Sequence, residues 1–120
     1  MVNKEVSIEL IQDLTMCIGI CIDLSNSVER SIVMFDALLA DKVNSICFFD
    51  SINKIRSLVY KGQSTITLGT ESVIMLSECQ IDAIKDMLLN VSIGNAFAGY
   101  HYDFEFLQDI PIDLSFILKK

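Results

Sequence analysis

The stretch GQSTITLGTESVIML, residues 62–76, decides the fold class. Residues 64–68 alternate polar and apolar side chains, residues 69–70 have the composition of a turn, and residues 72–76 form a second short apolar run. Such alternation is typical of a half-buried strand. Before Gly62 the apolar residues instead recur at spacings of three and four. The change of period predicts a helical half followed by a strand-rich half.

Three helices are predicted before Gly62. The helical pattern begins at Glu5, and the first helix, residues 8–22, carries two neighbouring apolar stripes, which predicts burial over much of its circumference. Ser25-Asn26-Ser27 offers N-caps for the second helix. The apolar repeats are Val28, Ile32, Phe35 and Leu39 in the second helix, and Phe48, Ile52, Ile55 and Val59 in the third. Asp50 and Lys54 would form an i,i+4 ion pair on the exposed side of the third helix.

Beyond Gly62 the predicted order is β-β-α-β-β. Ser77 and Gln80 match a capping box, which predicts a helix to about Asn90. Residues 100–107 alternate most regularly of all, and residues 112–118 form a last strand. The chain is thus predicted to be one α+β domain over residues 1–120. Its helical half, residues 1–61, would pack with a mostly antiparallel sheet formed by residues 62–120.

Charge is distributed unevenly along the chain. Between Gly62 and Leu118 there are eight carboxylates and one lysine, whereas the first 61 residues carry eight carboxylates and six cations. The net charge of the whole chain is −7. Such a field repels nucleic acid and anionic lipid and attracts a basic partner. The charge pattern therefore predicts a protein partner and argues against nucleic acid and membrane.

The candidate binding residues lie on two predicted acidic surfaces. Glu78, Asp82 and Asp86 recur every four residues on one face of the helix after Ser77. His101, Asp103 and Glu105 share the polar face of the strand at 100–107, opposite the aromatic face that is predicted to be buried. An ordinary solvated surface would show the same residues. The functional interpretation depends on both surfaces lying in the half that has hardly any cations.

Catalysis is not indicated by any complete motif. His101 and Asp103 could act as an acid/base pair, but no nucleophile, metal set or second base accompanies them in a recognisable pattern. The glycines are isolated, so neither a phosphate-binding loop nor a dinucleotide fingerprint can be drawn, and no cofactor is expected. A small enzyme or ligand-binding domain that uses His101 remains an alternative.

The cysteines and the N-terminus point to a reducing compartment. Cys17 and Cys21 would share a helix face, but a zinc site needs two further ligands and the single histidine is 80 residues beyond Cys21. Because Cys17, Cys21, Cys47 and Cys79 have apolar neighbours, buried, reduced and metal-free thiols are expected. The early charged residues do not fit a signal peptide, so the cytoplasm is the expected location.

A resemblance to a known class of proteins follows from the second half. Residues 80–84, which open the helix, and the strand sequence Gly99-Tyr100-His101-Tyr102-Asp103-Phe104-Glu105 resemble small immunity proteins of bacterial polymorphic toxin systems, including those of contact-dependent growth inhibition. The resemblance covers about residues 64–118 and consists of element order, size and acidity. It implies a cytosolic, non-enzymatic protein that binds a cognate toxin domain, often a basic nuclease, and blocks its active site.

The sequence therefore predicts a protein-binding inhibitor. The first alternative is an adaptor or structural subunit whose apolar helices pack on a partner or on a second copy. A homodimer through the helical half is expected on the same ground, since the predicted helix over residues 8–22 is apolar on more than one face.

Overall fold

The computed structural model describes residues 6–12, 18–68, 71–92, 100–106 and 112–118, apart from the side chains at positions 11, 12, 100 and 101. These residues form eight strands and two helices. The strands are β1 Ser7–Gln12, β2 Ile18–Asp23, β3 Ile46–Asp50, β4 Ile55–Lys61, β5 Thr65–Thr67, β6 Glu71–Leu76, β7 Tyr100–Phe106 and β8 Ile112–Leu118. The helices are α1 Val28–Leu39 and α2 Glu78–Ser92.

The strands form two sheets of the same design. The A sheet has the order β1-β2-β8-β7, and the B sheet has the order β3-β4-β6-β5. In each sheet the two central strands are parallel to each other, and each pairs with its outer neighbour in an antiparallel hairpin. Both sheets are therefore mixed, and the single, mostly antiparallel sheet predicted for residues 62–120 is wrong.

The order of elements repeats along the described chain. β1-β2-α1-β3-β4 is followed by β5-β6-α2-β7-β8. If the first set of elements is exchanged with the second, each strand pairing of the A sheet becomes a pairing of the B sheet. The two helices also exchange places, and they pack on each other. Each sheet thus contains one hairpin from each half, although no repeat is visible in the sequence.

Both sheets and both helices contribute to one hydrophobic core. Phe35 of α1, Phe48 of β3 and Phe116 of β8 are almost completely buried and meet with ring-centroid separations of 5.9, 6.0 and 6.3 Å. Tilted and edge-on contacts of this kind add to the hydrophobic gain of burying the rings. The three rings join α1 to the inner faces of the two sheets, so the opposite face of each sheet is turned away from the core.

Asp50 links the edges of the two sheets. Its fully buried carboxylate accepts hydrogen bonds from the backbone N–H of Ile8 at 2.9 Å and from the Asn53 side chain at 2.8 Å. The backbone N–H groups of Ile52 and Asn53 donate to the same carboxylate at 2.9 and 3.0 Å. Burial opposes ionisation, but these four hydrogen bonds outweigh it and hold the pKa of Asp50 below its usual value of 3.8.

The first predicted helix is wrong. Strands β1 and β2 occupy its place and pair with Ile8 opposite Ile22. Ile8, Ile20 and Ile22 are buried in the core, so the predicted dimer loses the helix on which it rested. A long apolar segment fits the helical and the strand pattern equally well, and β-branched residues such as isoleucine are enriched in strands. Residues 13–17, which include Cys17, lie outside the described part.

The third predicted helix is also wrong, because β3 and β4 form a hairpin there. The inward positions of this hairpin include Asp50 and Ser57, which are fully buried, whereas Phe49 faces outwards. Polar residues inside and an aromatic residue outside conceal the alternation from which a strand is recognised. Lys54 lies in the hairpin loop with φ of 56°, so it cannot form the predicted helical i,i+4 ion pair with Asp50. Asp50 instead accepts hydrogen bonds from donors such as the Ile52 N–H.

The remaining elements lie where the sequence placed them. Helix α1 occupies the position of the second predicted helix, and the elements after it follow the predicted order as β5, β6, α2, β7 and β8. The capping box is present, since Gln80 N–H donates to Ser77 Oγ at 3.2 Å and Ser77 N–H donates to Gln80 Oε1 at 2.9 Å. What the sequence did not predict is that β5 and β6 belong to one sheet and β7 and β8 to the other.

Candidate protein-binding face

The outward side of the A sheet is strongly acidic. Its carboxylates, which together we call the acidic face, are Glu9 of β1, Asp23 of β2, Asp103 and Glu105 of β7, and Asp113 of β8. Residues at the alternate positions, such as Ile20 and Leu114, are buried in the core. Because successive side chains of a strand point to opposite faces, the five carboxylates lie on the solvent side of one sheet.

The strand register sets the arrangement of these carboxylates. One row across the sheet contains Glu9, Cys21, Ser115 and Asp103, and within it Ser115 Oγ donates a hydrogen bond of 2.6 Å to Asp103. Glu105 lies directly opposite Asp113. Like charges at directly opposed positions destabilise an antiparallel pair. An arrangement that costs stability in the free protein is typical of a functional surface.

The strands of the A sheet themselves supply no lysine or arginine to the acidic face in the part of the chain that the structure describes. The outward positions of the A sheet there carry no lysine or arginine. Like charges without interspersed cations reinforce one another and produce a negative potential that extends into solvent. A positively charged protein surface would be attracted to this side of the molecule.

The acidic stripe of α2 differs because lysines lie close to it. Lys61 Nζ is 3.6 Å from Glu78, and Lys85 Nζ forms an ion pair of 2.7 Å with Asp36 of α1. The hydrogen bond from Lys85 to Asp36 raises the pKa of Lys85, and the charges of Asp82 and Asp86 act in the same direction. The stripe on α2 is therefore a partly compensated surface.

The predicted site residues are thus divided between two elements. Asp103 and Glu105 belong to the acidic face, and His101 lies in the same strand with its side chain outside the described part. The other predicted residues, Glu78, Asp82 and Asp86, are on the exposed side of α2.

Three carboxylates of the acidic face were missed by the sequence analysis. Asp113 alternates with the apolar residues of the last predicted strand, and this pattern could have revealed it. Glu9 and Asp23 could not be placed, because β1 and β2 were taken for a helix. Glu9 also belongs to the first 61 residues, whose charges are nearly balanced in the sequence.

The cysteines and the other titratable groups show no sign of a metal centre among the described residues. No three histidine, cysteine, aspartate or glutamate side chains there are placed to hold an ion. Cys47 and Cys79 are exposed, so the expectation of buried thiols is wrong for these two, and Cys21 is half-buried. Within the same residues, neither helix is long and apolar enough to cross a membrane.

A cavity lies between α1 and β3. It has a volume of about 270 Å³ and is lined by serines, apolar residues, Arg30 and Cys47. Neither a carboxylate nor an imidazole is among its described lining residues. The cavity does not include the residues of the acidic face.

Comparison with known proteins gives no relative from which a function could be transferred. No family model matches the chain, and neither a curated protein nor a solved structure shows significant similarity to it. The geometry of the site is therefore the basis for the functional argument.

Proposed function

We propose that this protein is a non-enzymatic, protein-binding inhibitor of the immunity type, which neutralises a bacterial toxin domain in the cytoplasm by covering its active site. The observation that carries the proposal is the acidic face, with five carboxylates and no described cation among its outward positions. A toxin that acts on nucleic acid has a basic active site, because it must bind phosphates. An acidic protein surface competes directly for such a site.

The shape of the surface supports the same function. Four paired strands hold the carboxylates on one sheet, and Asp103 is further oriented by Ser115. Charges on a rigid sheet require less backbone ordering on binding than charges on loops, which favours affinity. The opposed pair Glu105 and Asp113 would gain most from a basic partner, since a bound cation relieves their mutual repulsion.

The test begins with the partner. Proteins that co-purify with this chain from its native cells are identified, and a binder with a basic domain is then produced on its own. Association should be fast at low ionic strength and slow as salt rises, because the screening length falls from about 30 Å at 0.01 M to roughly 8 Å at physiological salt. The binder's toxic activity should be lost in the complex.

Charge reversals then locate the interface. Asp103→Lys and Glu105→Lys should each cost about 2–5 kcal/mol of binding free energy if the carboxylate is buried in the complex. Asp82→Lys and Asp86→Lys on α2 serve as controls of equal charge and should act weakly, mainly on the association rate. A salt-independent association rate, or a larger effect on α2 than on the acidic face, would contradict the proposal.

A further inference from the structure

The outward side of the B sheet contrasts with the acidic face. It consists mainly of exposed or half-buried apolar and uncharged side chains, which together with one ion pair we call the neutral face. Its members are Cys47 and Phe49 of β3, Arg56, Leu58 and Tyr60 of β4, Thr65 and Thr67 of β5, and Glu71, Val73 and Met75 of β6. A contiguous apolar patch of this kind on a protein surface marks an interaction site.

The charges on the neutral face compensate each other. Arg56 Nη1 is 3.1 Å from Glu71 Oε1, and the Arg56 guanidinium lies 5.4 Å from the centroid of the Phe49 ring. No other charged side chain occupies an outward position of the B sheet in the described residues. A chain with a net charge of −7 is repelled by its own copies over most approaches. The neutral face is the sheet surface on which that repulsion is smallest.

The centre of the neutral face is suited to sheet packing. Cys47, Leu58, Val73 and Thr67 form one row across the four strands. Strands about 4.8 Å apart and about 3.3 Å per residue give a face of roughly 15–20 Å on each side. Two such faces would bury roughly 1,000 Å² in total, which is the lower limit for a specific interface. An interface at this lower limit is expected to be weak and reversible.

We propose that a second copy of this chain packs on the neutral face, so that two B sheets form a face-to-face sandwich about 10 Å thick. A two-fold axis makes such a contact self-complementary and closed. The acidic faces stay outside the contact, so the dimer presents two of them. The inference does not rest on the proposed inhibitor function, because it uses none of the residues of the acidic face.

The first experiment uses the natural thiols. Cys47 lies on the neutral face and Cys79 lies on α2, and both are exposed. Alkylation of the full chain with iodoacetamide, followed by peptide mapping, measures both rates in one sample. At a total concentration about ten times the dissociation constant, Cys47 should react roughly fivefold more slowly than in dilute protein, because about a fifth of the chains remain monomeric. Cys79 should react at an unchanged rate.

The second experiment compares two matched variants by sedimentation. Leu58→Lys introduces a charge into the neutral face, and Ile117→Lys introduces the same charge at a half-buried outward position of the A sheet. The wild type and Ile117→Lys should dimerise at tens of micromolar, and Leu58→Lys should raise the dissociation constant by about tenfold or more. Added salt should strengthen the wild-type dimer, because it screens the repulsion between the acidic chains.

The inference is overturned by any of three results. These are a wild-type protein that stays monomeric at hundreds of micromolar, a dimer in which Cys47 and Cys79 keep the same relative reactivity, and a dimer that Ile117→Lys disrupts as strongly as Leu58→Lys. The thiol experiment needs no substitution, so it decides the question even if Leu58→Lys fails to fold.

Discussion

Asp50 shows how a single side chain can hold two sheets together. Its carboxylate is fully buried, and it accepts a hydrogen bond from Ile8 of the A sheet as well as three from its own hairpin loop. Ile8 is buried, so its N–H would be unsatisfied without this acceptor, whereas Ile52 and Asn53 are exposed to water. Buried donors that lose a charged acceptor are costly, because water cannot replace the lost bond.

Replacement of Asp50 by asparagine should therefore destabilise the protein by roughly 2–4 kcal/mol. The folded pKa of Asp50 is lowered, so its contribution is present above the unfolded value of 3.8 and is lost as pH falls through the folded value. The difference in unfolding free energy between wild type and Asp50→Asn should thus shrink as pH falls below about 5 and through the folded pKa. Urea denaturation at several pH values measures it, and a pH-independent difference would show that the charge of Asp50 contributes nothing.

Lys54 has a backbone conformation that a side chain makes unfavourable. Its φ of 56° in the β3–β4 loop is in the left-handed region, where a residue with Cβ loses about 1–2 kcal/mol. Lys54→Gly should raise the free energy of unfolding by about 0.5–1 kcal/mol after the extra entropy of glycine in the unfolded chain is subtracted. Lys54→Ala keeps the Cβ and is the control. Equal stability of the two variants in thermal denaturation would exclude this explanation.

At the scale of the elements, the sequence predicted those with a one-sided pattern. α2 has a capping box and a single buried stripe, and in β8 the buried residues alternate with outward ones. The hairpin β3–β4 reverses the usual pattern with Asp50 and Ser57 inside, so its strands could not be recognised. Pairing partners are a separate problem. Alternation shows which face of a strand is buried, but not which strand lies beside it.

A residue of the candidate site could be predicted only where the strand that carries it was recognised in the sequence. Asp103 and Glu105 were found because β7 was recognised, whereas Glu9 and Asp23 were lost with β1 and β2. The two hairpins of the acidic face lie side by side only through the β2–β8 pairing, which joins residues more than 90 positions apart, such as Cys21 and Ser115. A local pattern contains no information about contacts of that range.

The opposed acids of β7 and β8 lead to a prediction that separates stability from binding. Glu105→Lys places a lysine directly opposite Asp113 and should stabilise the free protein by about 0.2–1 kcal/mol. The same substitution should weaken binding to a basic partner. Denaturation of the free protein and titration with the partner measure the two effects. A Glu105→Lys variant that is less stable than wild type would argue against repulsion across this pair.

On the scale of the whole molecule, one architecture is used twice with opposite surface chemistry. The A and B sheets have equivalent strand orders, and both contribute to the same core. Their outward sides nevertheless differ, since one carries five carboxylates and the other carries apolar side chains around a single ion pair. Inward positions maintain the fold, so outward positions can carry two different surface chemistries on one scaffold.

The repeated order of elements also means that neither half of the chain is a complete structure. Each sheet consists of one hairpin from residues 7–61 and one from residues 65–118, so each half supplies a hairpin to both sheets. Cutting the chain between Gln63 and Ser64 should therefore give two fragments that are unfolded alone and fold together as a 1:1 complex. Circular dichroism of the separate and mixed fragments measures this. Cooperative unfolding of either fragment by itself would show that it is an independent folding unit. A fusion of two originally separate, interlocked chains of about sixty residues each would produce a protein whose halves complement each other in this way.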